Sequence, residues 1–184
     1  IDLVRRYVGD RENRRHRPGR ALERLDYRFD ILGDYGGFRD LQRHRLLTIE
    51  WQSLTPHHGY EIPEAVMGAG LADRYDGAME RSRSLYETLQ SDFPEQAAYA
   101  VSMAFRVRYV MQFNAREALH MIELRSQPQG HPHYRRIAQE MYRQIATRAG
   151  HQAVAEMFTH VDLTEGEDGR LQAERALEAR RATR

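Results

Sequence analysis

Residues 101–125 read VSMAFRVRYVMQFNAREALHMIELR, and a change of period inside this stretch decides the fold. Up to Phe113 the apolar side chains recur at every second position. Val101, Met103, Phe105, Val107, Tyr109, Met111 and Phe113 face one way, while Arg106 and Arg108 face the other. That alternation predicts a core strand. From Asn114 to Arg125 the spacing becomes helical, with Ala115, Ala118, Leu119 and Ile122 on one face. Asn114 stands at the expected N-cap, where its side chain satisfies free amides and the helix start favours negative charge.

The same tests extend outward. Arg24 to Leu32 alternates, with Leu25, Tyr27, Phe29 and Ile31 opposite Arg24, Asp26, Arg28 and Asp30, and predicts a half-buried strand. Gly33, Gly36 and Gly37 are read as breakers, Phe38 to Arg45 as a short helical connector, and Leu47, Ile49 and Trp51 as a second strand ending at Thr55-Pro56. Ala65 to Leu89 carries apolar residues at helical spacing and predicts one long amphipathic helix. A further helix is expected over Tyr134 to Ala149, stopped at Gly150, with a short helical segment from Ala153 to Phe158. Trp51, Tyr27 and Phe29 are expected in the core. The fold class is therefore α+β: an antiparallel or mixed twisted sheet of about three to five strands with a long helix and further C-terminal helices. One domain is expected over residues 1–163, followed by a charged tail, 164–184, that frays or packs on a partner.

Composition narrows the function. The chain has 184 residues, 41% of them apolar, enough for one packed core. Its 28 basic and 27 acidic residues leave a net charge of +1, so no global field favours nucleic acid or membrane, and any anion site is local. Zero cysteines exclude disulfides, thiolate metal sites and a cysteine nucleophile, and fit a cytoplasmic setting. No apolar run reaches the roughly 18 residues that span a bilayer. The first residue is Ile1 rather than Met, which suggests a portion of something longer.

Arg43-His44-Arg45 sits where the connector hands over to a strand, and two guanidiniums flanking an imidazole suit a phosphate or a reduced flavin ring. Alone, the triplet reads better as solvated charge. Arg116, His120 and Arg125 are the polar members of an otherwise apolar helix, with Arg116 and His120 four residues apart on one face. Standing alone, Arg125 is charge compensation at a helix C-terminus. The run Arg11 to Arg20, with five arginines and His16, is read first as a solvated loop and second as a phosphate-facing clamp. His57-His58 with Glu61, and His131-x-His133, have spacings a metal accepts but lack a convincing further carboxylate, so no metal is expected.

Together these segments resemble the flavin-dependent thymidylate synthases. Leu22-Glu23, Arg43-His44-Arg45, Thr48 and Ser53, then Asn114-Ala115-Arg116 with Leu124-Arg125, follow that family's Arg-His-Arg-x-x-Ser-x-Asn-Glu-x-Ser-x-Arg signature and its Asn-x-Arg-x-x-x-His/Asn-x-x-x-Leu-Arg helix. The resemblance covers roughly residues 18 to 126 and fades from Gln127 onward. It implies that Arg43, His44, Arg45, Asn114, Arg116 and His120 hold FAD. It also implies that Ser53 and Arg125 act at the substrate dUMP, with methylenetetrahydrofolate and NADPH as co-substrates, in a homotetramer that makes dTMP as a methyltransferase. The nucleotide side departs from the pattern. Asp40, Trp51, Thr55 and Ala98 occupy positions where the family has a Gln, a Glu and two arginines, so a degenerate dUMP phosphate site is expected. The alternative is a non-catalytic domain of a larger protein that completes an oligomer or a neighbouring site.

Overall fold

Nine residues from Asp26 to Asp34 form the first strand, β1; Tyr27 and Phe29 are buried as the alternation predicts, whereas Ile31 is half-buried and Gly33, read as a breaker, lies buried inside the strand. A computed structural model describes residues 2–166 and 169–182. In chain order the remaining elements are helix α1 (Asp2–Val8), α2 (Tyr35–Leu41), strand β2 (Thr48–Trp51), α3 (Glu64–Gly68), α4 (Ala72–Gln90), strand β3 (Arg106–Asn114), α5 (Ala115–Arg125), α6 (Pro132–Ala146), α7 (Gln152–Ala155) and α8 (Gly169–Ala182). Short 3-10 turns at Arg20–Arg24, Pro56–His58 and Ala97–Ala100 link them. The three strands pair in the order β1-β3-β2 in an antiparallel sheet, so the α+β class holds with the smallest expected number of strands. No helix among the described residues is long and apolar enough to cross a membrane.

The chain forms two compact units. The first comprises the described residues within Ile1–Phe29, Arg43–Ile49 and Met111–Arg184. Here Phe29 stacks on Phe113 with ring centroids 5.5 Å apart, and the Tyr27 hydroxyl meets His151 Nδ1 at 3.0 Å. Helix α5 is buried on nearly every side and packs against α6. The buried Arg135 of α6 donates to the carbonyls of Ser126, Thr164 and Gly166, and Gln139 donates to those of Asp162 and Thr164. These bonds hold residues 162–166 against α6, so the start of the charged tail is strapped down, and α8 follows it.

One ion pair organises the N-terminal part of this unit. The Arg11 side chain is 2% exposed and Glu123 of α5 is 0% exposed. Arg11 Nη1 donates to Glu123 Oε1 at 2.7 Å and Nη2 to Oε2 at 2.5 Å, a two-pronged match of guanidinium and carboxylate. Its remaining donors reach the carbonyls of His16, Arg14 and Met157, so all five guanidinium N–H groups are used. Glu123 Oε1 also accepts from the His160 amide. Full satisfaction is what makes such a buried pair tolerable, since desolvation of each charge costs several kcal/mol.

The second unit, Asp30–Gln42 and Glu50–Val110, has its own apolar cluster of Met79, Tyr86, Ala97, Val101 and Phe105. The Ser82 hydroxyl clips the following segment to α4 by donating to Ala100 O and accepting from the Ser102 amide. Phe38, 0% exposed, lies against Tyr109 at 4.6 Å and Trp51 at 5.6 Å.

Several boundaries differ from the sequence reading, each for a physical reason. The connector helix runs over Tyr35–Leu41, not Phe38 to Arg45, and Gly36 and Gly37 lie inside it. Asp34 caps it by accepting from the Gly37 amide, while the Tyr35 and Gly36 amides donate to Phe105 O and Met103 O. A Cβ on Gly36 would sit 3.3 Å from Asp34 Oδ1, so glycine there serves close approach rather than helix breaking. Residues Arg43 to Leu47 are left as an irregular turn. The long helix is two, because Gly70 adopts φ +67° between α3 and α4. The third strand starts at Arg106, since Ala97–Ala100 is a 3-10 turn and Phe105 makes only an isolated bridge to Tyr60. Helix α6 starts at Pro132, a favoured first helical residue, and ends at Ala146. The second strand ends at Trp51, and Trp51 is 56% exposed rather than in the core, offering only one ring face to Phe38.

Replacing Arg11 by Met should destabilise the protein by about 3–5 kcal/mol in urea unfolding, because it strands the Glu123 carboxylate. Arg11→Met with Glu123→Met should recover most of that loss. An effect near zero for the single variant would contradict the role given to the pair.

Candidate functional site

Asn114 ends β3 with extended backbone, φ −76° and ψ 165°, and its side-chain oxygen accepts from the Glu117 amide at 2.9 Å. This cap switches the chain from strand to helix and fixes where the first turns of α5 point. Glu117, at the third helical position, often reaches back to the cap in such a motif. Here its carboxylate, 7% exposed, turns to His44 instead, with Oε1 3.1 Å from His44 Nδ1.

His44 Nε2 accepts from Arg125 Nε at 3.0 Å. A ring nitrogen that accepts carries no proton, so Nδ1 holds the hydrogen and donates it to Glu117. Arg125, His44 and Glu117 thus form a continuous chain of donors and acceptors in which the imidazole is neutral. The Arg125 guanidinium also lies 5.3 Å from the centre of the Tyr134 ring. The His120 ring stands edge-on to His44, 5.9 Å between centroids. Burial of the ring pushes the His120 pKa below its ordinary 6.5; Glu117 opposes the shift, and the charges of Arg14 and Arg17 add to it.

Beside this chain lies a cavity of about 570 Å³, within the range of ligand-binding clefts. Asn114, Arg116, Glu117 and His120 contribute one wall, and Arg14, Arg15, Arg17 and Pro18 contribute another. Arg116 is partly committed: Nε donates to Pro18 O at 3.1 Å and Nη1 to Glu23 Oε1 at 2.9 Å, and Glu23 is shared with Arg20. Arg14, Arg15 and Arg17 have no side-chain hydrogen bond or ion pair among the described residues.

Of the residues singled out in the sequence, Asn114, Arg116 and His120 line the cavity, and His44 and Arg125 support its wall through Glu117. Arg43 and Arg45 are exposed in the turn after α2 and do not line it. Ser53 is an exposed loop residue of the second unit; of the other positions in that unit, Asp40 is half-buried in α2, Trp51 is exposed at the end of β2, and Thr55 and Ala98 are half-buried at 3-10 turns. Thr55 has a local duty, accepting from the His57 amide to cap a 3-10 turn. The sequence reading missed Glu117, for which a Glu three residues after a capping Asn was the one local signal; Glu23 entered it only as part of the family resemblance, and Arg14, Arg15 and Arg17 only through the second reading of the Arg11 to Arg20 run.

The histidine pairs considered for metal have other partners. His58 Nε2 meets Gln52 Oε1 at 2.9 Å, His57 packs edge-on to Tyr86, and His131 caps α6. His44, Glu117 and His120 do offer donor atoms within 4.8 Å of one another. Both His44 nitrogens are already engaged and arginines surround the group, so its charge suits an anion better than a cation.

The model of the thymidylate synthase complementing protein family matches residues 7–150, most of the chain. This chain belongs to that family, the flavin-dependent thymidylate synthases. A UPF0159 protein of Chlamydia pneumoniae is 45% identical over 145 residues, covering 79% of this chain and 27% of the relative. A UPF0159 protein of Chlamydia muridarum is 41% identical over 167 residues, 91% of this chain and 31% of the relative, and one from Thermoplasma acidophilum is 38% identical over 166 residues, 89% and 33%. The chain therefore spans a third or less of the length of these relatives. In fold it is similar to Thymidylate Synthase X from Helicobacter pylori, solved with FAD and dUMP, with a TM-score of 0.63, 20% identity, and 86% and 83% of the two chains covered. A second structure of that protein with the same ligands gives 0.64 at 19% identity, covering 88% and 83%.

By ring NMR, His44 should show the Nδ1–H tautomer and His120 should titrate below 6.5. Arg14→Ala and Arg17→Ala should each raise the His120 value, and Glu117→Gln should lower it further. Because the folded value is depressed, the stability linked to His120 is present above 6.5 and lost as pH falls through the lowered value. A His120 pKa above 6.5 would contradict this electrostatic description.

Proposed function

We propose that the chain is an FAD-binding unit of a flavin-dependent thymidylate synthase whose grip on the dUMP phosphate is weak. The observation that carries the reading is the cavity walled by Asn114, Arg116 and His120, three residues that match the family's flavin-side helix, with cationic groups around it. The donor set fits a flavin nucleotide: fixed guanidiniums and a helix start for phosphate oxygens, and a neutral imidazole chain behind them. Asn114, Arg116 and His120 would hold the cofactor directly. His44 and Arg125 would hold the Glu117 carboxylate of the cavity wall in a fixed hydrogen bond. When bound, FAD supplies the redox chemistry of the family reaction, with NADPH as reductant and methylenetetrahydrofolate as the one-carbon source.

The weak dUMP grip rests on the second unit. The family's phosphate-side arginines are matched there by Thr55 and Ala98, and Asp40 brings a negative charge. A lost charge-assisted bond costs about 1.5–3 kcal/mol, so two cost about two to four decades of affinity. A second reading, a non-catalytic domain that completes a neighbouring site, is motivated by the same missing phosphate-side arginines at Thr55 and Ala98. The reading also carries a homotetramer, to which the exposed Leu71 and Leu85 of the α4 region give some apolar surface.

Titration with FAD, followed by flavin absorbance and by retention through gel filtration, should show stoichiometric binding, whereas dUMP should bind weakly in calorimetry. Failure to retain FAD would sink the flavin reading and favour the non-catalytic one. Tight dUMP binding by the unmodified chain would overturn the degenerate phosphate site.

A further inference from the structure

We infer that the loop carrying Arg14 and Arg17 is a clamp for the phosphate ester of a bound nucleotide, taking over a charge that the rest of the chain does not supply. The inference rests on the flavin-nucleotide reading of the cavity and adds to it residues outside the matched helix and outside Arg43-His44-Arg45.

The argument begins with what holds the loop. Arg11 fastens it from inside, donating to the carbonyls of Arg14 and His16 while its other donors are fixed on Glu123 and Met157. The Arg15 amide donates to the Asn13 side chain and closes the turn further. Arg14 and Arg17 are thus carried on a backbone tied to the core, not on a free arm. Both side chains line the cavity, and both act electrostatically on His120 across it. Within the same run, Arg11 is matched to Glu123 and Arg20 to Glu23, whereas Arg14 and Arg17 have no carboxylate partner among the described residues.

The opposite wall cannot supply the charge alone. Arg116 shares Glu23 with Arg20 and spends a second donor on Pro18 O, and Glu117 is a buried carboxylate. Unmatched guanidiniums gathered on one wall of a cavity repel one another until an anion enters beside them. The start of α5, capped by Asn114, points its partial positive charge into the same space. The ligand class is a phosphate ester, either the pyrophosphate of a flavin dinucleotide or the monoester of a nucleotide such as dUMP.

The test titrates the full chain, Arg14→Ala, Arg17→Ala, the double variant and a charge-matched control, Arg28→Ala, with FAD and riboflavin, and with dUMP and deoxyuridine. Each single variant should weaken binding of the phosphorylated member by about tenfold or more and the double variant by about a hundredfold or more. Riboflavin, deoxyuridine and the control should move by less than about twofold. Loss confined to FAD assigns the clamp to pyrophosphate, and loss confined to dUMP assigns it to the monoester. Equal weakening of the phosphorylated and unphosphorylated members would show a merely structural loop and overturn the clamp, as would unchanged affinities. If the unmodified chain retains no flavin, the flavin reading fails on its own. Thermal stabilisation by inorganic pyrophosphate, present in the unmodified chain and lost in the double variant, then still supports the clamp, and its absence from the unmodified chain overturns it.

Discussion

The first unit depends on a single buried ion pair. Arg11 and Glu123 are both withdrawn from water, so the pair stabilises the fold only because every donor of the guanidinium is met and the carboxylate has a further amide. That requirement shapes everything around it. It draws residues 11–16 into a fixed turn, brings Met157 and His160 to helix α5, and sets the height of the loop that walls the cavity. A lysine could not substitute, since it has three donors and no planar fork.

From that anchor the electrostatics of the cavity follow. The chain has almost no net charge, yet the cavity gathers unmatched arginines because the acids that line it are held by other groups, Glu23 by Arg20 and Arg116 and Glu117 by His44, while Glu123 is matched to Arg11. The Arg125–His44–Glu117 chain matters for the same reason. It ties the Glu117 carboxylate of the cavity wall to His44, and it does so with a neutral imidazole that adds no charge of its own.

Much of this was legible in the sequence, and the failures have a common cause. Alternation marked Tyr27, Phe29 and Phe113 as buried, and the switch of period at Asn114 marked the cap, because both signals are local. The family motifs brought forward Asn114, Arg116 and His120, which do share one wall. What escaped were features decided by distant partners. Gly36 and Gly37 read as breakers, but backbone bonds to Met103 and Phe105 make them part of a helix. Arg11 looked like one solvated arginine among five, because its partner lies 112 residues away. Trp51 looked like core because alternation gives a face without saying whether anything covers it. Gly68-x-Gly70 did carry a local warning that the helical period alone overrode.

The two units also divide the family pattern. The matched flavin-side residues lie in the first unit, and the departures at Asp40, Trp51, Thr55 and Ala98 lie in the second. With matches and departures falling in different units, the location of ligand contact is the decisive fact. Hydrogen–deuterium exchange of the full chain with and without FAD reads that location directly. The account predicts slowed exchange at residues 11–18 and 114–120 when FAD is present. Protection confined to the second unit, or none at either segment with FAD bound, would contradict it.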